Sequence, residues 1–324
     1  MSDKPELSIV APCFNEEQVL PEFLRRATAA AEQCGKSFEI IIVDDGSRDG
    51  TWRELQKHSA ADARIRGIRF VRNFGHQPAL TAGLRSCRGE RVLLIDADLQ
   101  DPPELLAEMI AEMDRQGADI VYGQRRTRDG VSAGLNACYK GFYKLLGWLS
   151  GTEIPPDTGD FRLVTRRVVD CVNAMPEQQR FLRGMFSWSG FKQVAFRYDR
   201  KARAAGAPAY TWNKLFALAA DGIMSFSIKP LRLATALAGV LAGLGLLVTV
   251  WLVFGHAYFD KPPQGWTSLM VVLLFVSALQ MLVLGVIGEY IGRIFIEQKQ
   301  RPIYLVAEEM GADGGGRMSE TRGQ

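Results

Sequence analysis

The sequence lacks the features that mark several common classes of protein. Its five cysteines are odd in number and include no C-x-x-C pair, so neither a disulfide framework nor a cysteine-based zinc site is expected. Lys plus Arg total 39 against 36 for Asp plus Glu, and the net charge of +3 is far from the basic excess of nucleic-acid-binding proteins. With 324 residues and a hydrophobic content of 47%, the chain can instead bury a large core.

Two familiar phosphate-binding motifs are also absent. No G-x-G-x-x-G follows the first apolar run and no G-x-x-x-x-G-K-[ST] occurs anywhere, which argues against a Rossmann dehydrogenase and a P-loop enzyme. Short apolar runs alternate with helical segments, and this pattern predicts an α/β domain with a mainly parallel sheet. We expect strands at 7–11, 38–43, 65–71, 91–95 and 120–122, and helices at 17–33, 51–63, 77–86 and 103–115.

Acidic residues cluster where the predicted strands end. Asp44 and Asp45 follow the second strand, and Asp96 and Asp98 follow the fourth. Parallel sheets bind their ligands beyond the carboxyl ends of the strands, and oxygen ligands suit Mg²⁺ or Mn²⁺. The pattern therefore predicts a divalent-metal site, although acidic pairs also occur in ordinary solvated loops. The predicted ligands are Asp96, Asp98 and Gln100, with Asp101 as a further acid.

Two stretches in the last third of the chain, 233–254 and 266–288, carry no charged residue. Each is on the order of 22 residues, or roughly 33 Å as a helix, which is enough to cross the hydrocarbon core of a membrane. The alternative is a pair of buried core helices. Basic residues flank the outer ends, whereas the connecting loop 255–265 contains only Lys261, offset by Asp260. The positive-inside rule then predicts that both ends lie in the cytoplasm.

An amphipathic segment precedes the first apolar stretch. Apolar side chains at 215, 219, 223 and 226 share one helical face, which indicates a helix in the membrane interface or one packed on the soluble domain. The tail from Glu308 to Gln324 contains three consecutive glycines and is expected to be disordered. The predicted organisation is a soluble domain over 1–205, an interfacial segment over 206–232, a transmembrane hairpin over 233–292 and a cytoplasmic tail over 293–324.

A series of short motifs runs through the chain in a fixed order. They are Pro12 with Asn15 and Glu16, VDDGS at 43–47, RNFGH at 72–76, DADLQDPPE at 96–104, GDFRL at 159–163, RFLRG at 180–184 and GEYIGR at 288–293. Followed by two apolar stretches, this series resembles the family-2 glycosyltransferases of the GT-A fold. Within that family it is most similar to the bacterial polyprenyl-phosphate glycosyltransferases, which are related to dolichol-phosphate mannose synthase. The resemblance covers about residues 5 to 305.

The resemblance implies an inverting transfer of a sugar from a UDP-sugar to a polyprenyl phosphate such as undecaprenyl phosphate. The expected product is a lipid-linked sugar for modification of cell-envelope glycans, made at the cytoplasmic membrane by a multi-pass protein. UDP-glucose is the leading donor by frequency in the family, and a UDP-N-acetylhexosamine or an amino-arabinose donor stays open. The implied cofactor is Mg²⁺ or Mn²⁺, bound by Asp96, Asp98 and Gln100. The implied nucleotide-sugar contacts are Pro12, Asn15, Glu16, Asp44, Asp45 and Asp96.

Residues for catalysis and for the acceptor phosphate also follow from the resemblance. The catalytic candidates are Asp157, Asp98 and Arg125, and the acceptor-phosphate candidates are Arg128, Arg197, Arg200 and Arg203. Asp157 would act as a base or orient the acceptor; alternatively it caps the next element. Arg125 and Arg128 would otherwise belong to a solvated loop, and the other arginines would attract anionic headgroups. Relatives often carry Gly-x-Ser-Lys-Tyr before the interfacial helix, whereas this chain has Ala209 in place of the lysine.

Two rival functions remain. A processive polysaccharide synthase of the same superfamily would have a Gln-x-x-Arg-Trp motif and more spans, which the sequence around 178–181 does not provide. A membrane-anchored scaffold with an inactive transferase fold would not need Asp96, Asp98 and Gln100. Gly239 and Gly243, together with Gly245, could permit close helix packing and a homo-oligomer.

Overall fold

The structure is a computed structural model that describes residues 4–125, 158–198 and 265–311, with isolated helical residues at 231, 234, 236, 239, 240, 243 and 247. The chain divides into two units. The first comprises Met1–Lys144, Thr152–Tyr210 and Arg301–Gln324, and the second comprises Leu145–Gly151 and Thr211–Gln300.

The described part of the first unit contains eight strands that form one sheet. The strands are β1 (Leu7–Cys13), β2 (Phe38–Asp44), β3 (Ile65–Phe70), β4 (Arg91–Leu94), β5 (Ile120–Arg125), β6 (Thr158–Thr165), β7 (Gln193–Tyr198) and β8 (Val306–Met310). The helices are α1 (Leu20–Gln33), α2 (Thr51–Ala61), α3 (His76–Ser86), α4 (Leu106–Gln116), α5 (Arg166–Ala174) and α6 (Leu182–Trp188), with a 3-10 turn (Pro103–Leu105) before α4.

The sheet has the order β7-β5-β6-β4-β1-β2-β3-β8 and is mixed. The pairs β1–β2, β1–β4, β2–β3 and β5–β7 are parallel, whereas β6 is antiparallel to β4 and β5, and β8 is antiparallel to β3. Six of the eight described strands therefore run in the same direction, which confirms the prediction of a mainly parallel sheet, and only β6 and β8 are reversed. Parallel strands are joined by crossover connections, which are usually helices, and the alternation of strands and helices in the sequence provides them for the first strands only. Strands β6 and β8 come from segments without this alternation.

The core lies where β1 and β2 run through the middle of the sheet. Every residue of these two strands is buried, as expected for strands covered on both faces. On one face Phe23 and Leu24 of α1 join Met109 of α4 in the main apolar cluster. On the other face Gly83 of α3 lies so close to Val10 that any added Cβ would collide with it. These contacts hold α1 and α4 against one face of the sheet and α3 against the other.

Helix α1 begins three residues later than predicted. The Glu17 amide donates to Asp49 Oδ2 at 3.2 Å, and the Gly50 amide donates to Glu17 Oε2 at 3.0 Å. These bonds tie Glu17 to the loop after β2, so the helix starts at Leu20 with Pro21 in its first turn. The chain before α1 is thereby held at the carboxyl edge of the sheet.

The second unit contains the helix α7 (Trp266–Lys299). The predicted second span, 266–288, is helical throughout, and the helix continues beyond it. Within the described residues one helical stretch, Phe275–Lys299, is long and apolar enough to cross a membrane. Apart from the isolated helical residues named above, the predicted first span over 233–254 and the interfacial segment over 206–232 lie outside the described residues.

The chain after α7 returns to the sheet of the first unit as strand β8. The tail was expected to be disordered from Glu308, and this expectation is wrong for residues 308–310. Glu308 accepts hydrogen bonds from Trp52 Nε1 at 3.1 Å and from Arg69 Nη1 at 3.0 Å, while Tyr304 stacks on Phe70 at 4.9 Å between ring centroids. Pairing with β3 and these side-chain contacts stabilise a strand whose own sequence, VAEEM, carries little strand signal.

Candidate active site

The loops that follow β1 and β2 are joined by hydrogen bonds at the carboxyl edge of the sheet. The Asn15 amide donates to Ser47 Oγ at 2.9 Å, and the Arg48 amide donates to Asn15 Oδ1 at 2.9 Å. Asn15 has a φ of 56°, a left-handed conformation that asparagine tolerates better than most residues. The Glu16 amide donates to Thr51 Oγ1 at 2.9 Å. These bonds hold Asn15 and Glu16 next to the end of β2.

Asp44 ends β2 with its side chain fully buried. Its Oδ1 accepts the Ser47 amide at 2.9 Å. Its Oδ2 has no hydrogen-bond partner, and Arg69 Nε lies 3.8 Å from it. Burial raises the pKa of Asp44, and the contacts with Ser47 and Arg69 offset this only in part. A buried acceptor without a hydrogen bond is costly, so Oδ2 is well suited to a donor group of a ligand.

Asp45 has a different surrounding. Its Oδ1 accepts the Phe74 amide at 2.7 Å and its Oδ2 accepts the Gly75 amide at 2.9 Å. Gly46, with a φ of +71°, lies so close to the backbone of Arg72 that a Cβ would collide with it. Both carboxylate oxygens of Asp45 thus hold the loop between β3 and α3, and in this structure the residue positions that loop.

A network of four titratable side chains links α3, the end of β4, β6 and α6. His76 Nε2 is 2.8 Å from Asp96 Oδ1, and His76 Nδ1 is 3.5 Å from Asp160 Oδ2. Arg183 binds both carboxylate oxygens of Asp160, with Nε at 2.7 Å from Oδ1 and Nη2 at 3.0 Å from Oδ2. Gln77, next to His76, accepts the Leu182 amide at 2.9 Å and so connects α3 to the start of α6.

The charges in this network shift the pKa values of its members. Burial alone would raise the pKa of Asp160, but Arg183, helped by Arg162 and His76, lowers it to about 2. Burial lowers the pKa of Arg162 to about 10, and Asp160 limits this effect. Burial also lowers the pKa of His76, but the hydrogen bond and charge of Asp96 outweigh it, so the net pKa is raised. Asp160 is therefore ionised at neutral pH.

The loop after β4 carries the predicted metal ligands. Asp98 Oδ1 accepts the Gln100 amide at 3.0 Å, and Leu99 between them has a φ of 59°. Asp101 was expected to be a further acid at the site; instead it is buried and accepts a hydrogen bond from Tyr198 Oη at 2.5 Å, which anchors the loop to β7. The backbone of this loop is thus held from both sides.

The described residues fit a divalent cation that a substrate helps to coordinate. No group of three or more His, Cys, Asp or Glu side chains in the described ranges could hold a metal by itself. The Oδ2 atoms of Asp96 and Asp98 make no hydrogen bond to any described residue. Both are carboxylate oxygens, the ligand type that Mg²⁺ and Mn²⁺ prefer. Mg²⁺ is often bound by one or two carboxylates together with substrate phosphates, so Asp96 and Asp98 carry the donor type that such a site uses.

Comparison with known proteins identifies the family. Residues 8–172 match the family described as Glycosyl transferase family 2, a range that runs from β1 to α5. The chain belongs to glycosyltransferase family 2. Residues 229–294 of this glycosyltransferase also match the family described as the GtrB C-terminal hairpin.

Two curated relatives match nearly the whole of this glycosyltransferase. It is 42% identical to the uncharacterized glycosyltransferase YkcC of Bacillus subtilis, over 97% of each chain. It is 38% identical to the bactoprenol glucosyl transferase of Shigella phage SfV, over 94% of this chain and 99% of that one. A solved mannosyltransferase from Pyrobaculum calidifontis, in complex with GDP-mannose and Mn²⁺, aligns at a TM-score of 0.48 and 17% identity, over 90% of this chain and 88% of that one.

Several predicted site residues of the glycosyltransferase lie near one edge of the sheet and others lie outside the described residues. Arg197 is exposed on β7, where it pairs with Gln124 of β5. Arg125 is the last residue of β5. Since β5 runs antiparallel to β6, which is antiparallel to β4, both arginines are at the carboxyl edge that carries Asp96. The predicted residues outside the described part are Arg128, Asp157, Arg200 and Arg203. Pro12 is buried in β1 opposite Val43.

Sequence reasoning did not assign a role to His76, Asp160 or Arg183. All three belong to motifs that carried the family resemblance, at 72–76, 159–163 and 180–184. The feature of the sequence that could have selected them is that each of these motifs contains charged residues. The motifs contain no information on the contacts between these residues in the folded chain.

Proposed function

We propose that this glycosyltransferase transfers a glucosyl group from UDP-glucose to a polyprenyl phosphate, undecaprenyl phosphate, with inversion at the anomeric carbon. The observation that carries the proposal is the match over nearly the full chain to relatives named bactoprenol glucosyl transferases. The site geometry supports it, because Asp44 ends β2 and Asp96 and Asp98 follow β4, two strands that flank β1 and run parallel to it, so all three lie at one edge of the sheet.

The reaction needs charge stabilisation more than proton transfer. An oxygen of the acceptor phosphate attacks the anomeric carbon, the bond from that carbon to the UDP oxygen breaks, and the electron pair leaves with UDP. Asp96 and Asp98, with Gln100, would hold a Mg²⁺ or Mn²⁺ ion, which neutralises the charge of the leaving diphosphate when bound. The Oδ2 of Asp44, which accepts no hydrogen bond in the structure, would accept one from the nucleoside.

Arginines at the carboxyl edge are the candidates for the two phosphate groups. Arg125 and Arg128 would bind the donor diphosphate or the acceptor phosphate, since a guanidinium forms two parallel hydrogen bonds to such groups. Arg197 is exposed at the same edge and would meet the acceptor phosphate together with Arg200 and Arg203. These residues would replace the lysine that relatives often carry where this chain has Ala209.

The membrane part of the proposal concerns delivery of the lipid. The match of 229–294 to a C-terminal hairpin family and the long apolar helix α7 support a two-helix anchor in the cytoplasmic membrane. The charge flanks described above favour a cytoplasmic catalytic unit, where UDP-sugars are available to it. An anchor of this kind keeps the transferase at the surface where polyprenyl phosphate heads are exposed.

The proposal is tested with the full-length protein in lipid nanodiscs. Radiolabelled UDP-glucose, UDP-N-acetylglucosamine and UDP-galactose are each supplied with undecaprenyl phosphate and Mn²⁺. We expect label from UDP-glucose to enter an organic-extractable lipid, and no transfer when undecaprenol replaces the phosphate. A water-soluble polymer as product would instead indicate a polysaccharide synthase, and labelled lipid formed only from another donor would refute UDP-glucose as the substrate. The absence of turnover with these three donors and with a UDP-amino-arabinose donor would indicate an inactive scaffold.

Asp157 is proposed to position the acceptor and not to remove a proton. The second pKa of a phosphate monoester is near 6, so at neutral pH the acceptor is mostly a dianion and proton removal has little to accelerate. Correct positioning, in contrast, can lower the barrier by several kcal/mol. We expect Asp157→Asn to retain more activity than Asp157→Ala, with no recovery of the Asn variant between pH 6 and 8.5 in initial-rate assays. Equal inactivity of both variants, with rescue of Asp157→Asn at high pH, would mean that proton abstraction is essential.

A further inference from the structure

His76 connects an open carboxylate at the candidate active site to a buried ion pair. Its Nε2 is 2.8 Å from Asp96 Oδ1, and its Nδ1 is 3.5 Å from Asp160 Oδ2. The Asp160 side chain is 5% exposed, whereas the Asp96 side chain is 31% exposed. The network therefore runs from the protein interior to the surface on which a ligand would bind, with the imidazole in the middle.

The imidazole is itself held in place by neighbouring contacts. Asp45 binds the amides of Phe74 and Gly75, the two residues before His76, and Gly75 adopts a φ of +106° that few other residues would accept. Arg183 binds both oxygens of Asp160 and so fixes the carboxylate that faces Nδ1. Asp45 thus constrains the backbone before His76, and the ring lies between the carboxylates of Asp96 and Asp160.

We propose that His76 is a positioning residue for glycosyl transfer, which orients the Asp96 carboxylate toward the bound nucleotide-sugar and its divalent cation. The inference rests on the proposed function, because it assumes that Asp96 contacts the donor. By donating from Nε2 to Oδ1, His76 limits rotation of the carboxylate and leaves Oδ2 for the ligand. Partners that orient a metal-binding side chain change metal affinity by about 10- to 100-fold when they are removed.

The test compares two side chains that differ mainly in reach. The amide nitrogen of glutamine can replace the Nε2 donor of histidine, whereas asparagine is too short to contact Asp96. We expect His76→Asn to weaken Mn²⁺ binding in the presence of UDP by about tenfold or more and His76→Gln to restore most of it. Mn²⁺ binding is followed by electron paramagnetic resonance on the full-length protein, with no acceptor present. His58→Asn is the matched control, because His58 lies on α2 and contacts only Glu54 O among the described hydrogen bonds.

Steady-state kinetics provide the second readout. We expect His76→Asn to lower kcat/KM for the donor and to leave the KM for undecaprenyl phosphate unchanged. Equal Mn²⁺–UDP affinities of the Gln and Asn variants, or a loss of thermal stability without a change in affinity, would overturn the positioning role. A wild-type protein that binds Mn²⁺ and UDP but transfers no sugar would refute the proposed function and would leave the affinity comparison valid. A wild-type protein that binds neither would refute both.

Discussion

Asp98→Asn should lower glycosyl transfer by about a hundredfold or more while the protein stays folded. The substitution keeps the size of the side chain and removes the charge of a proposed metal ligand. Neutralising the leaving diphosphate is worth several kcal/mol in such a reaction, and each 1.36 kcal/mol is tenfold in rate. The Asp98 side chain is only half-buried, and an asparagine oxygen can still accept the Gln100 amide, so little change in thermal stability is expected. Initial rates with UDP-glucose and undecaprenyl phosphate measure the effect.

Asp170→Asn is the matched control for this prediction. Asp170 is exposed on α5 and its ion pair with Arg166, at 3.6 Å, lies on the helix surface. Such a surface pair contributes little to stability, so this variant should retain wild-type rates. Addition of EDTA should abolish wild-type activity, and excess Mn²⁺ should restore it. Full activity in EDTA would refute the metal site, and so would equal rates for Asp98→Asn and Asp170→Asn.

Arg183→Met should destabilise the first unit by about 3 kcal/mol, because it leaves the buried Asp160 without its bidentate partner. Breaking a buried ion pair by removing one member typically costs about 3–5 kcal/mol, and the partial exposure of Arg183 favours the lower end. Thermal unfolding of the full chain in detergent measures the effect. Arg115→Met, which removes an exposed pair with Glu112, should leave the unfolding temperature nearly unchanged.

The same ion pair predicts a pH dependence. The pKa of Asp160 is about 2 in the folded protein, against about 3.9 in an unfolded chain. A depressed carboxylate pKa contributes stability that is present above pH 4 and is lost as the pH falls toward 2, because protonation removes the charge that Arg183 binds. The difference in stability between wild type and Arg183→Met should therefore be largest near neutral pH and shrink below pH 4. A difference that stays constant down to pH 3 would contradict this account.

The elements that were predicted well are those with a local signal. Strands β1 to β4 and helices α1 to α4 each appear within a few residues of their predicted bounds, since apolar runs and turn residues mark them. Strand β8 had no such signal, because its pairing with β3 and the bonds of Glu308 to Trp52 and Arg69 come from residues far away in the chain. Strands β6 and β7 were also not predicted. Because β6 pairs antiparallel with both β4 and β5, the sheet is mixed.

The sequence by itself determined which residue types stand at the carboxyl ends of the strands, and its motif series indicated the family to which the chain belongs. Asp44, Asp96 and Asp98 could be selected in this way, because acidic residues that end apolar runs form a pattern within a few positions. Only the tertiary structure decided what each carboxylate does. In the structure, Asp45 accepts hydrogen bonds from the amides of Phe74 and Gly75, and Asp101 accepts one from Tyr198.

The His76 network is the clearest case of a feature that only the tertiary structure decided. Its members lie in separate motifs, on α3, after β4, in β6 and in α6. No spacing rule along the chain connects them, because a hydrogen bond depends on distances of about 3 Å that are created when the sheet and its helices pack. The sequence supplied the charged side chains, and the folded sheet decided which of them contact one another, as His76 contacts Asp96 and Asp160.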